Sequence, residues 1–303
     1  MKLSEDSVEL QPEQLASANG LQLCFQCFGQ SHNPPLVLIM GLATQMIHWD
    51  DVFCQTLADQ GFWVIRFDNR DIGLSTKLSG QRPPGVSAFL ANQWFKRQLN
   101  VPYLLTDMAK DTLALLDFLE ISSAHVVGVS MGGMIAQCMA IEAPKRVKSL
   151  TSIMSTTGNR QLPKPKPWVT LKVIRPVPKN DADFKEYALD MWRMLHGDYF
   201  AFDAERVAKT LLKARARCFY PAGVRRQTAA IVASPDRTSA LRQISTPSLV
   251  IHGDYDPLVP VQCGQATAAS IPDAKLKIYK GMGHTLPKEL WVDMIGEICT
   301  IAS

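Results

Sequence analysis

The stretch VVGVSMGGMIAQ, Val126–Gln137, joins a β-branched apolar run to a helical one through a single serine between glycines. Within it, Gly128-Val129-Ser130-Met131-Gly132 reads G-x-S-x-G, the spacing of a nucleophile elbow when a strand precedes it and a helix follows. Turning strand into helix within one residue crowds the positions two before and two after the turn, and glycine has no Cβ to clash there. The same turn lifts the Ser130 hydroxyl above a sheet edge and aims a helix N-terminus at any negative charge that develops beside it.

Working outward, Asn19-Gly20 between EQLASA and LQLCFQCF predicts an opening hairpin. Strands are then expected at Pro35–Met40, Phe62–Phe67, His125–Val129, Val147–Met154, Pro247–Gly253 and Ala274–Tyr279, with helices between them and a last helix over 287–301. Strands alternating with helices imply an α/β chain whose mostly parallel sheet is covered by helices on both faces. The alternation breaks between about Thr156 and Pro235, where NRQLPKPKPWVTLKVIRPVPKN precedes helical stretches near Phe184–His196 and Ala204–Cys218. We expect a core of 1–155 and 236–303, interrupted by a helical cap over 156–235 at the carboxyl ends of the strands, where such sheets bind ligands.

A serine is a weak nucleophile without a base to take its proton. Of the six histidines, His252 lies inside a strand, His125 opens one, His32 sits in a polar turn and His196 belongs to the insert. His284, in KGMGHTLP, follows the last strand on a glycine-flanked loop and is the residue placed to reach back over the elbow. LVIHGDYDPLVP offers Asp254 and Asp256 as the orienting carboxylate; Asp256 is the better placed, with Asp254 shaping the turn. The order Ser130…Asp256…His284, each at its own strand end, is far more specific than any one of the three.

The composition fits this reading. Hydrophobic residues make up 47% and charged residues 20%, an ordinary balance for a globular enzyme, and a dispersed net charge of +4 gives no ground for nucleic-acid binding. No run reaches the roughly 18 apolar residues of a membrane span, and the acidic opening MKLSEDSVELQPEQ lacks a secretory apolar stretch, so a cytoplasmic protein is expected. The seven scattered cysteines suit reduced thiols, and Cys24 and Cys27, an odd offset apart on one strand, point to opposite faces.

The segments VLIMGLATQMIHW, VIRFDNRDIGLST, HVVGVSMGG, LVIHGDYDPLVP and KGMGHTLP, in that order, resemble the α/β-hydrolase superfamily, and in detail carboxylesterases of the aclacinomycin methylesterase type. The resemblance implies an α/β-hydrolase fold and an oxyanion hole built from the backbone N–H groups of Leu42 and Met131, with Gly41 allowing close approach. Three departures stand out: Met40 replaces the usual histidine before Gly41, Asp71 takes a glycine position in Asp68-x-Arg70-x-x-Gly73-x-Ser75, and Ser79–Tyr103 is long.

The expected activity is hydrolysis of small to medium apolar carboxylic esters through an acyl-enzyme, with no cofactor or metal and a small-molecule ester as the partner. Lactonase, perhydrolase or carbon–carbon hydrolase chemistry on the same residues is the alternative, and non-catalytic binding a more distant one. His48, Trp168 and Trp192, with Gly41, are pocket candidates, and Trp94 and Phe95 could join them. Long insoluble triglycerides are not expected, because no interfacial helix is visible in the sequence. The oligomeric state is not legible.

Overall fold

Asn19 and Gly20 both take positive φ, 50° and 73°, the geometry of a type I′ turn. They join β1 (Gln14–Ala18) to β2 (Leu21–Phe28) as an antiparallel hairpin. The alternating part follows: β3 (Pro35–Ile39), α1 (Asp51–Asp59), β4 (Trp63–Phe67), α2 (Leu105–Phe118), β5 (Ala124–Val129), α3 (Met131–Glu142) and β6 (Val147–Ile153). Four helices are then inserted, α4 (Pro167–Val173), α5 (Asp181–His196), α6 (Ala204–Arg217) and α7 (Pro221–Ala233). The chain ends with α8 (Thr238–Leu241), β7 (Ser248–Gly253), α9 (Val261–Ser270), β8 (Lys275–Tyr279) and α10 (Trp291–Ala302). The computed structural model describes residues 11–83, 85 and 99–303; Trp94 and Phe95 lie outside the described residues.

The eight strands form one sheet in the order β1-β2-β4-β3-β5-β6-β7-β8, parallel from β4 through to β8. From β3 the chain first pairs outward with β4, then returns to place β5 on the other side of β3. The sheet therefore reverses its winding between β3 and β5, and the crevice beyond their carboxyl ends is where such a sheet binds ligands.

Both faces of the central strands are apolar, as a doubly covered sheet requires. Val37, Ile39, Ile65, Phe67 and Val126 pack with residues of α2 and α3 on one side. Leu36, Leu38, Val64, Val127 and Val129 pack with α1 and α10 on the other, where Phe53, Trp291 and Met294 are buried. Cys24 and Cys27 do fall into different clusters, and burial pushes each thiol up to about 12.

Ion pairs, two of them buried, join the inserted helices to the core. Arg226 on α7 pairs with Asp71 at 2.7 Å, Arg217 at the end of α6 with Asp68 at 2.8 Å, and Arg206 on α6 with Asp50 at 3.0 Å. The departure at Asp71 is thereby explained. This residue keeps the left-handed backbone of the glycine it replaces, with φ 70°, and its carboxylate receives two bonds from Arg226, one from Tyr103 Oη and one from the Leu78 N–H. Burial works against that charge, but the bonds from Arg226, Leu78 and Tyr103 outweigh it and hold the carboxyl below its usual range. Asp68, Arg70 and Ser75 serve loop structure: Asp68 accepts from the Met46 and Leu74 amides, Arg70 pairs with Asp111, and Ser75 Oγ donates to the Asp68 carbonyl.

Candidate active site

Ser130 follows β5 as the N-cap of α3, with φ 54° and ψ −117°, a conformation few non-glycine residues adopt. Its surroundings hold it there. The Ser130 N–H donates to the Ile153 carbonyl at 2.9 Å, and its own carbonyl accepts from the Met134 N–H and from Ser155 Oγ. A Cβ on Gly128 would lie 2.2 Å from the Gly132 carbonyl oxygen, and one on Gly132 would lie 2.1 Å from the Ile39 carbonyl oxygen. Only glycine fits at either position, so the backbone of the elbow is over-determined by contact.

Three strand ends bring the predicted side chains together. His284, on the loop after β8, has Nε2 3.0 Å from Ser130 Oγ. Its Nδ1 lies 2.6 Å from Asp256 Oδ2, on the loop after β7. The second oxygen of Asp256 accepts from the amides of Leu258 and Val259 at 2.9 and 2.8 Å. Asp256 and His284 are both buried. With Asp256 accepting at Nδ1, the neutral imidazole carries its proton there and leaves Nε2 free to accept from the serine hydroxyl. Asp254 shapes the turn, accepting from the Gly281 N–H at 2.6 Å.

Two further histidines attach to this chain. His252 is wholly buried; its Nε2 donates to the Val259 carbonyl at 2.8 Å and lies 3.6 Å from Asp256 Oδ2. Burial depresses its pKa, keeping it neutral beside the carboxylate. Besides its place inside β7, it forms part of the wall of Asp256. His196, at the end of α5, bonds Thr285 Oγ1 through Nδ1 at 2.8 Å, and the neighbouring Leu195 carbonyl accepts the backbone N–H of His284 at 2.6 Å. The last turn of an inserted helix thus holds the main chain of the candidate base. Nothing in the local sequence indicates it, because the partners lie 89 residues apart.

The loop after β3 runs alongside the serine: a Cβ on Gly41 would sit 3.2 Å from Ser130 Cβ. Its polar groups are pinned in succession. Asn69 Nδ2 donates to the Met40 carbonyl, Thr44 Oγ1 to the Gly41 carbonyl, and the Ala43 N–H to Gln227 Oε1 on α7. Among the described residues, neither the Leu42 nor the Met131 N–H has a hydrogen-bond acceptor. Asn69 and Gln227 were not anticipated from the sequence, although Asn69 lies within the Asp-x-Arg stretch already singled out.

Of the pocket candidates, His48 and Trp192 meet. Their rings stack with centroids 5.5 Å apart and planes 15° from parallel, so the loop after β3 and α5 share an aromatic contact. Desolvation takes the His48 pKa down to about 4, which leaves a neutral ring there. Trp168, by contrast, stands 53% exposed on α4.

Residues 34–289 match the family described as alpha/beta hydrolase fold, and the chain belongs to that family. It is 26% identical over 311 residues to rhodomycin D methylesterase from Streptomyces sp. (strain C5), covering 95% of this chain and 97% of that protein. It is 31% identical over 179 residues to 2-hydroxy-6-oxononadienedioate/2-hydroxy-6-oxononatrienedioate hydrolase from Cupriavidus pinatubonensis, covering 56% of this chain and 58% of that one. Among solved structures, the enol-lactonase from Burkholderia xenovorans LB400 superposes with a TM-score of 0.70 at 21% identity, over 95% of this chain and 99% of the other. These matches bear out the fold and the methylesterase resemblance read from the sequence. The relatives are named esterases and hydrolases, and the chain is a hydrolase.

Proposed function

We propose that this chain is a serine carboxylesterase acting on small to medium apolar carboxylic esters, with Ser130 as nucleophile, His284 as general base and acid, and Asp256 as its orienting partner. The observation that carries the reading is the unbroken hydrogen-bonded chain from Ser130 Oγ through both nitrogens of His284 to Asp256. Likeness over nearly the whole chain to a methylesterase supports an ester with a small leaving alcohol.

In the first half-reaction His284 Nε2 takes the hydroxyl proton while Ser130 Oγ attacks the ester carbonyl carbon. The carbonyl oxygen gains the electron pair, and the N–H groups of Leu42 and Met131 stabilise it, each donor worth on the order of 10² to 10³ in rate. Collapse breaks the bond to the alcohol oxygen, which leaves with the proton held on His284. Water, deprotonated by the same nitrogen, then attacks the acyl-enzyme and returns Ser130 with release of the acid. Asp256 remains a carboxylate throughout and stabilises the imidazolium. Gly41, His48 and Trp192 border the acyl or alcohol subsite, and residues 156–235 act as a cap over it. The cytoplasm is the compartment we assign, on the strength of seven free thiols.

The similarity to a dienedioate hydrolase, over little more than half the chain, favours one second reading: cleavage of a carbon–carbon bond by the same residues. Nitrophenol release from a series of p-nitrophenyl acyl esters, with wild type beside Ser130→Ala, separates the possibilities. Turnover of short-chain esters that disappears in the variant is the expected result. Labelling of Ser130 by a fluorophosphonate with no ester turnover would move the chemistry to another acyl substrate. Full turnover by Ser130→Ala would sink the proposal.

A further inference from the structure

The inserted region carries the charge asymmetry of the chain. Residues 156–235 hold 15 Lys and Arg against 7 Asp and Glu, whereas the rest holds 17 against 21. Within the insert, residues 159–180 contain six cations and no acid. α4 lies in that stretch with one apolar side turned outward: Leu171 is 64% exposed and Ile174, which caps the helix C-terminus, 68%, beside the half-exposed Trp168. At 100° per residue these three positions form one stripe on the helix, and Val169, fully buried, seats the other side. A contiguous exposed apolar patch marks a surface that meets something.

The surrounding charges say what it meets. Lys172 and Arg175 are neutralised by Asp190 on α5, at 2.7 and 2.9 Å. Lys164 and Lys166 before the stripe and Lys179 after it are exposed, and among the described residues they have no acidic partner. An isologous contact with a second copy would bring these lysines against their own counterparts, which like-charge repulsion opposes. An apolar stripe containing Trp, flanked on both sides by exposed lysines that have no acidic partner among the described residues, matches a surface of anionic headgroups over hydrocarbon.

We propose that this face of the insert docks on an anionic lipid bilayer, Trp168, Leu171 and Ile174 entering the headgroup–acyl boundary while Lys164, Lys166 and Lys179 meet the headgroup phosphates. This proposal departs from the expectation that the chain offers no interfacial helix. Spacing alone left α4 unread, and it is exposure that gives it away. Among the described residues no helix is long and apolar enough to cross a membrane, so the contact is peripheral.

Co-sedimentation of the full chain with vesicles tests this, comparing phosphatidylcholine alone with phosphatidylcholine containing about one-third phosphatidylglycerol. Wild type is expected to bind the anionic vesicles at least about tenfold more tightly than the neutral ones, and less tightly as salt rises. Leu171→Ser/Ile174→Ser should lose about tenfold or more. Lys164→Gln/Lys166→Gln/Lys179→Gln should lose on the order of 100-fold, about fivefold per lysine, and most of the salt dependence. Circular dichroism and thermal melting confirm that these exposed substitutions leave the fold intact. The proposal is overturned by absence of binding, by equal binding to both vesicles, or by binding that survives both sets of substitutions. It is equally overturned if light scattering finds a dimer that Leu171→Ser/Ile174→Ser dissociates while vesicles are ignored, which would assign the patch to a second copy.

Discussion

Replacing Asp71 tests how the inserted helices are held to the core. Its carboxylate and the Arg226 guanidinium are both essentially inaccessible to solvent, at 0% and 1% side-chain exposure, and two hydrogen bonds of 2.8 and 2.7 Å join them. Removing one member of such a pair strands the other charge and costs about 3–5 kcal/mol. Asp71→Gly also relieves a non-glycine residue at φ 70°, a gain of about 1 kcal/mol. The net expectation is a loss of roughly 2–4 kcal/mol for Asp71→Gly. Asp71→Asn keeps the backbone cost and loses more, about 3–5 kcal/mol. Asp71→Gly/Arg226→Met removes both charges together and should return to within about 1–2 kcal/mol of wild type, because an apolar replacement of a buried pair is near neutral. Urea unfolding of wild type, Asp71→Gly, Arg226→Met and the double variant, followed by tryptophan fluorescence, gives the coupling energy directly. A coupling below about 0.5 kcal/mol, or an Asp71→Gly more stable than wild type, would refute the account of this pair.

Other expectations follow from the same geometry. Asp256→Asn should fold normally yet lose on the order of 10⁴ in kcat, because an amide favours the wrong imidazole tautomer; steady-state ester hydrolysis checks it. Gly132→Ala drives a methyl group into the Ile39 carbonyl oxygen, so a sharply lowered melting temperature or no soluble protein is expected. His125 is buried and its pKa is lowered to about 4, by desolvation and then by repulsion from Lys148. Its neutral form is the native one. The stability it supports is therefore complete above the unfolded value of about 6.5 and declines as pH falls towards 4, by up to about 3 kcal/mol. His48 contributes with the same sign. His125→Gln should flatten the acid limb of stability in that window; denaturation curves that stay parallel to wild type between pH 6.5 and 4 would contradict this.

The strands were legible because each is a short apolar run bounded by turn residues, and Ser130, Asp256 and His284 because each follows one of those runs. What escaped the sequence depends on distance along the chain. Asp71 was visible as a departure from pattern, but its partner Arg226 lies 155 residues away. α7 went unread because Arg226 and Gln227 interrupt its apolar positions, and both prove to be buried and bonded to the core loops. The unpartnered stripe on α4 was hidden for the opposite reason. Trp168, Leu171 and Ile174 have the spacing of a buried helix face, and spacing does not reveal which side of a helix meets protein.

The bond from the His284 amide to the Leu195 carbonyl bears on how this enzyme can be re-engineered. It is made by main chain at both ends, so residue 195 can change identity freely provided α5 stops at the same place. A chimera carrying a foreign insert would be judged by where its helix terminates more than by which side chains it brings. An insertion of a single residue before Gly197 would rotate the helix end by about 100° and withdraw the acceptor. With the insert proposed as a cap, substitutions within an insert of fixed length keep this bond, and length changes belong on the loops remote from α5.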